Sequence, residues 1–233
     1  MSDNEICAEI YSNTDYERPK EIFKFIGNII EKNLRNKSNL SLLDVGCAKG
    51  EFLYYVSTRF STYEPYICGV DFSRTLTDLA RQFRGLQPAD FYNDEADHFC
   101  INRKFDFIVA TGLISFFDDY TQLLDNFINH LNDDGVIILT NGFSETDYDV
   151  IIRYRHFGSK GDLNPGWNQH SLQGLTNYFA ARGKKLTAHK FNLPFPLERT
   201  EDPLRSWTLE ASDGQKFVCG LNMIWNLLSL EVK

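Results

Sequence analysis

The residues best suited to chemistry sit where apolar runs stop. Leu42-Leu43-Asp44-Val45-Gly46-Cys47-Ala48-Lys49-Gly50-Glu51-Phe52 reads as a buried strand, a small-residue turn and the start of a helix. Gly46, Ala48 and Gly50 let the backbone turn sharply and approach a ligand closely. A turn that opens a helix presents backbone N–H groups, which suit an anionic or carboxylate-bearing ligand. A second apolar run, Tyr66 to Val70, ends in Asp71, followed by Phe72. A third, from Ala89 to Asn93, ends in Asp94 and Glu95, and a fourth, Phe105 to Ala110, runs into Thr111 and Gly112. A carboxylate at such a strand end is placed to accept hydrogen bonds from the two hydroxyls of a ribose. Further on, Arg153, Arg155, His156 and Lys160 gather positive side chains in a loop broken by glycines and prolines, ahead of His170. His170 is the histidine nominated as a general base, because its intrinsic pKa lies near neutrality.

These residues need elements to position them. Ile22, Phe25, Ile26, Ile29 and Ile30 give one apolar helix face after Pro19. Phe52, Tyr55, Val56 and Phe60 repeat at helical spacing, and so do Leu76, Leu79, Ala80 and Phe83. Asp118 or Asp119 is a candidate cap for a helix carrying Leu123, Leu124, Phe127, Ile128 and Leu131 inward. Asn132-Asp133-Asp134-Gly135 reads as a turn before a fifth strand through Asn141. Ser171 is the natural cap of a helix ending at Gly183. A sixth strand is expected within residues 184–195. Ser212-Asp213-Gly214 between two strand-like runs signals a hairpin, and residues 223–232 carry the last strand. Strand and helix alternate through residue 141, which predicts a doubly wound parallel sheet.

Composition narrows the class. With 233 residues, 42% of them hydrophobic, the chain is long enough for one well-buried α/β domain. No apolar run is long enough to cross a bilayer, and the polar start is unlike a signal peptide, so a cytoplasmic chain without membrane insertion is expected. The five cysteines are scattered without metal-ligand spacing, so reduced thiols and no metal are expected. A net charge of −8 argues against a nucleic-acid partner.

The turn separates two ligand classes. A dinucleotide fingerprint wants a small residue at the sixth place from Gly46, and Glu51 stands there, so an NAD-type oxidoreductase is the weaker alternative. The phrase Leu43 to Gly50 instead resembles motif I of the class I S-adenosylmethionine-dependent methyltransferases, and Phe105 to Ala110 resembles their motif IV. Leu131-Asn132-Asp133-Asp134-Gly135-Val136-Ile137-Ile138-Leu139 is similar to the same family. The resemblance is close over residues 40–141. It implies a Rossmann-like seven-stranded, mostly parallel sheet with an antiparallel last strand, an N-terminal helical lid and a C-terminal β-hairpin extension. It implies S-adenosyl-L-methionine as cofactor and S-adenosyl-L-homocysteine as product. Asp44, Gly46, Cys47, Ala48 and Gly50 would pass beneath its methionine part, Asp71 would hold the ribose, and Phe72, Asp94 and Glu95 would meet the adenine. Thr111 and Gly112 would touch it through backbone groups. Tyr11, Tyr16, Arg153, Arg155 and His156 become acceptor-side candidates. The expected organisation is a single methyltransferase domain, 1–233, with a lid segment (1–39), cofactor core (40–141), acceptor-side loop (142–170) and C-terminal part (171–233), working as a monomer or homodimer. The expected activity is O-methylation of a small acceptor. Its acceptor would be anionic, a sugar, phosphorylated or nucleotide-linked precursor of a surface polysaccharide. A cofactor-binding regulatory protein without turnover is the other alternative.

Overall fold

The computed structural model describes residues 15–34, 39–202 and 204–233. In chain order its elements are α1 (Glu21–Asn33), β1 (Ser41–Val45), α2 (Glu51–Arg59), β2 (Tyr66–Asp71), α3 (Arg74–Gln82), β3 (Asp90–Asn93), β4 (Phe105–Thr111), α4 (Thr121–Asn129) and β5 (Leu131–Gly142). They continue as β6 (Arg153–Tyr154), β7 (Asn164–Pro165), α5 (Leu172–Ala180), β8 (Leu186–Phe191), β9 (Trp207–Glu210), β10 (Lys216–Gly220), β11 (Met223–Trp225) and β12 (Leu227–Val232). The main sheet has seven strands in the order β3-β2-β1-β4-β5-β12-β8. β1 pairs in parallel with β2 and β4, and β2 with β3, while β12 runs antiparallel to β8. This is the doubly wound sheet that the alternation of elements predicts, with the antiparallel last strand that the resemblance implies.

The chain forms two compact units. Among the described residues, the first takes 15–34, 39–111 and 119–138 with Lys233, and the second takes 112–118, 139–202 and 204–232. In the first unit the apolar strands are buried on both faces, which is why they read as runs rather than alternations. Every residue of β1 is buried. α1 buries Phe23, Ile26, Ile29 and Ile30 in one cluster with Phe52, Leu53 and Val56 of α2 and Phe107 and Val109 of β4. So the N-terminal helix is built into the core of this unit.

In the second unit, α5 begins as expected: the Ser171 hydroxyl accepts from the Gly174 N–H at 3.2 Å. The expected C-terminal hairpin is present as β9 and β10, and β11 extends it to a three-stranded antiparallel sheet. β6 and β7 form a separate two-stranded ribbon.

Several local expectations are corrected. Asn132-Asp133-Asp134-Gly135 is not a turn, because β5 begins at Leu131. Asn132 reaches Asp106 at 3.1 Å, and Asp106 in turn accepts from the Ser41 N–H and hydroxyl, so this polar start is held extended. Asp119 does not cap α4 directly; it accepts from the N–H and hydroxyl of Thr121 one residue beyond the cap position. Leu79, expected inward, is 42% exposed. No described helix is long and apolar enough to cross a membrane. The cysteines at 47, 68, 100 and 219 are free thiols.

Ile26 is fully buried. Ile26→Ala is therefore expected to cost about 2–5 kcal/mol in urea unfolding. A cost near zero would mean that α1 is only laid over the unit and is not part of its core.

Candidate functional site

The glycine-rich turn occupies residues 46–50 between β1 and α2. Gly46 and Gly50 both have φ of 79°, a left-handed conformation that suits glycine. Ala48 shares that region at φ 47° although it carries a side chain. Its N–H donates to Oδ2 of Asp71 at 2.8 Å, which helps hold the strained residue in place. Gly46 and Cys47 donate to the Val70 carbonyl at 2.8 and 3.1 Å, and Gly50 donates to Cys47 at 2.8 Å. This narrows the expectation that the helix-opening turn offers its N–H groups to a ligand. At 46, 47, 48 and 50 they are spent in stitching the turn to β2 and to itself.

Asp71 is buried at the end of β2. Its other oxygen, Oδ1, accepts from the Ser73 N–H at 2.9 Å. Burial pushes its pKa up, and the two N–H donors pull it part of the way back. A carboxylate offers about four lone-pair sites, so this pairing leaves capacity for a ligand hydroxyl.

A cavity of about 130 Å³ lies beside the turn, lined by Asp44, Cys47, Ala48, Thr111, Lys20 and Phe23 among others. Asp44 is 4% exposed, and among the described residues no hydrogen-bond donor reaches its carboxylate. Burial, reinforced by the neighbouring Asp71, pushes its pKa up to about 8, against some relief from Lys20. The Thr111 hydroxyl is also buried without a partner. Lys20 pairs with Glu51 at 2.5 Å, so the residue at the sixth fingerprint place is a surface ion-pair partner and not a packing contact.

The remaining cofactor candidates are placed as follows. Phe72 is 53% exposed just after β2. Asp94 donates its N–H to the Asp71 carbonyl at 3.2 Å and accepts from the Glu95 N–H at 2.9 Å. Asn93, which the sequence did not single out, donates to the carbonyls of Asp71 and Phe72 at 3.0 and 2.7 Å and fixes the same corner. Gly112 is corrected in part: its N–H donates to Thr140, while its carbonyl accepts from Ser115 and keeps a second lone pair.

Two acceptor candidates lie near the N-terminus. Tyr11 lies outside the described residues. Tyr16 is corrected from pocket lining to turn clamp: its hydroxyl donates to the Lys49 carbonyl at 2.7 Å and its ring stacks on Phe83 at 3.8 Å. Burial, with Glu51 nearby, pushes its pKa up to about 12.

The rest lie in the second unit. Arg153 is ion-paired with Asp118, whose carboxyl is held below its usual range by hydrogen bonds from Arg153 and Asn168. Arg155 and His156 are exposed on the ribbon loop, and His156 Nδ1 faces the Phe157 carbonyl at 2.9 Å. His170 is wholly buried. Its Nε2 faces the carbonyls of Ile114 and Phe117 at 3.3 and 3.0 Å, and its Nδ1 lies 3.9 Å from Asp149. Carbonyls only accept, so Nε2 carries the proton. A ring held this way positions the 114–117 loop; the lone pair of the Nε2–H ring lies on Nδ1, which is buried on the side of Asp149, and this burial corrects the general-base nomination. The residue that sequence reasoning missed is Asn168. It donates from Nδ2 to Phe117 and Asp118, accepts from the Ile152 N–H, and its own N–H donates to Ser115. No spacing signal marks it; a lone Asn in a loop reads as a turn residue.

The Asp44 environment sets a pH dependence. Its folded pKa of about 8 exceeds the ordinary 3.8, so between these values the folded state holds a proton that the unfolded state has lost. Wild-type stability without ligand is therefore expected to fall as pH rises from 5 to 8 and to level off above. Asp44→Asn removes that contribution. Denaturant midpoints of both proteins across this range give the check; a constant difference between the two curves would refute the burial argument.

Comparison with known proteins now bears on the geometry. Residues 15–193 match the methyltransferase domain family. The malonyl-[acyl-carrier protein] O-methyltransferase of Bacillus anthracis is 22% identical over 119 residues, covering 50% of this chain and 43% of that protein. The enzyme of the same description from Acetivibrio thermocellus is 22% identical over 71% of this chain and 61% of its own length. The chain thus spans about half the length of the curated relatives it matches. Among solved structures, an S-adenosylmethionine-dependent methyltransferase from Clostridium acetobutylicum superposes with a TM-score of 0.57 at 15% identity, covering 98% of each chain. DhpI in its SAH complex superposes at 0.61 with 10% identity, covering 99% of this chain and 92% of its own. The fold matches theirs, and with three quarters of its length inside the family match, the chain belongs to the methyltransferase domain family of class I S-adenosylmethionine-dependent methyltransferases.

Proposed function

We propose that this chain transfers a methyl group from S-adenosyl-L-methionine to an oxygen of a small acceptor, and that this oxygen is already an anion, with a carboxylate as the favoured class. The reading treats the chain as one methyltransferase domain. The observation that carries it is the state of His170: the nominated base is buried, with its Nε2 proton committed to two carbonyls.

The residues beside the turn fit the cofactor's amino-acid end. An uncompensated buried carboxylate, Asp44, suits an ammonium group, and the partnerless Thr111 hydroxyl suits a polar neighbour. Asp71 keeps lone pairs for ribose hydroxyls while it holds Ala48 and Ser73. When bound, the cofactor supplies a methyl activated by positive sulfur. The protein's task is then alignment and exclusion of water, which can lower a barrier by several kcal/mol.

A hydroxyl acceptor would need a base as the methyl arrives. A carboxylate needs none near pH 7, because its ordinary pKa is about 4. The curated relatives are named for a malonyl thioester, which presents one free carboxylate. A sugar, phosphorylated or nucleotide-linked precursor remains within the proposal when it carries such an oxygen. Arg155 and Lys160 are the exposed cations of the ribbon loop and suit attraction of such an anion.

The test is release of S-adenosyl-L-homocysteine with matched pairs of acceptors, each carboxylic acid beside its alcohol. With the cofactor saturating, so that ionisation of Asp44 does not limit its binding, the acids are expected to be methylated at a rate nearly flat from pH 6 to 8.5. Turnover of the alcohols alone, rising with pH, would sink the proposal. Asp71→Ala is expected to weaken cofactor binding by at least about tenfold in calorimetry. Affinity equal to wild type would remove Asp71 from the site.

A further inference from the structure

The second unit contains another cavity, of about 330 Å³, larger than the one beside Asp44. It lies at the three-stranded sheet and is lined by Arg199, Glu201, Trp207, Leu221, Met223 and Ile224, among others. Its size is in the range of small-molecule sites.

Its charges are not equivalent. Arg205 is 3.6 Å from Asp202, which also accepts from the Leu204 N–H at 2.9 Å, so that guanidinium is neutralised in place. Arg199 pairs with no carboxylate among the described residues. Its guanidinium instead lies over the Trp207 ring, 5.5 Å from the centroid. A guanidinium laid on an aromatic face keeps its fork of donors while losing little freedom, which suits it to a carboxylate or phosphate.

One side of the cavity is apolar. Gly220 pairs with Met223 across a two-residue turn, and both turn residues are left-handed, Leu221 at φ 47° and Asn222 at 62°, as a tight hairpin of this kind requires. The turn places Leu221 in the cavity lining, beside Met223 and the 57% exposed Ile224.

We propose that this cavity binds an organic anion with an apolar body, of the alkyl carboxylate or alkyl phosphate class. The anionic group sits on Arg199 and the body lies against Leu221, Met223 and Ile224. Glu201 on the rim limits the ligand to one anionic group, since a second would meet like charge. This goes beyond the methyl-transfer reading and does not depend on it.

The experiment is calorimetry of the full chain with octanoate, octyl phosphate, octyl glucoside and acetate. Octanoate and octyl phosphate are expected to bind; acetate, which lacks the body, and octyl glucoside, which lacks the charge, are expected to bind at least about tenfold more weakly. Arg199→Ala is expected to lose roughly tenfold in octanoate affinity, and Glu201→Gln, an exposed change that leaves folding intact, to gain affinity. Equal binding of octanoate and octyl glucoside would overturn the proposal. So would an Arg199→Ala protein of unchanged melting temperature that binds octanoate as wild type does, or a Glu201→Gln protein that binds it no better.

Discussion

One buried carboxylate organises the first unit. Asp71 ends β2, and its two oxygens take the N–H groups of Ala48 and Ser73 at 2.8 and 2.9 Å. One bond reaches across to the glycine-rich turn and the other closes the entry to α3. Hydrogen bonds of N–H to an ionised carboxylate are roughly twice as strong as neutral ones. They act here against burial, which favours the neutral acid and wins in part, leaving the pKa raised. A neutral Asp71 would hold Ala48 less firmly. Yet a left-handed non-glycine residue costs on the order of 1–3 kcal/mol to maintain. The turn's shape therefore depends on the charge state of a residue in the neighbouring strand.

That dependence decides how a ligand can be read. Four N–H groups of the turn donate inward, to Val70, Cys47 and Asp71, which leaves the side chains around the cavity as the polar groups with unmet demand. Asp44 carries the largest unmet demand there. A buried acid with no donor is poor for stability and well suited to a cation, because the cation supplies the missing partner. Gly69 shows how tightly this corner is packed. A Cβ on it would stand 2.6 Å from the Cys47 sulfur and 2.9 Å from Phe91, so glycine in the middle of β2 is what lets the turn lie against the strand.

The parts of the molecule legible in the sequence are those fixed by local pattern. β1, β2 and β4 are continuous apolar runs because both faces are covered, and α1 and α2 announce themselves by spacing. Asp71 was legible because its position relative to the turn is a matter of chain register. What failed was decided by long-range contacts. Tyr16 looked like a pocket residue but spends its hydroxyl on Lys49 and its ring on Phe83. His170 looked like a base by type, but its burial and its two carbonyl neighbours come from the 114–117 loop, far away in sequence. Asn168 gave no signal, since an amide's importance lies in how many partners the fold brings to it. β5 ran past its expected start because Asp106 supplied a partner to Asn132 that local turn chemistry does not consider.

Charge in residues 142–170 shows the same limit. Read along the chain, Arg153, Arg155, His156 and Lys160 gather into what looks like a basic loop, although Glu145, Asp147, Asp149 and Asp162 lie in the same stretch. In the fold, Arg153 faces Asp118 and Asp149 accepts from the Ser171 N–H while lying 3.9 Å from His170, so part of that charge is consumed in structure. The cations that remain, Arg155 and Lys160, are exposed. Exposed charges are weakly rewarded and screened by salt, so they add little that is fixed to this segment. What is fixed lies deeper: Asn168 and His170 hold the residues after β4 through backbone carbonyls, and that order comes from buried amide and ring contacts, not from surface charge.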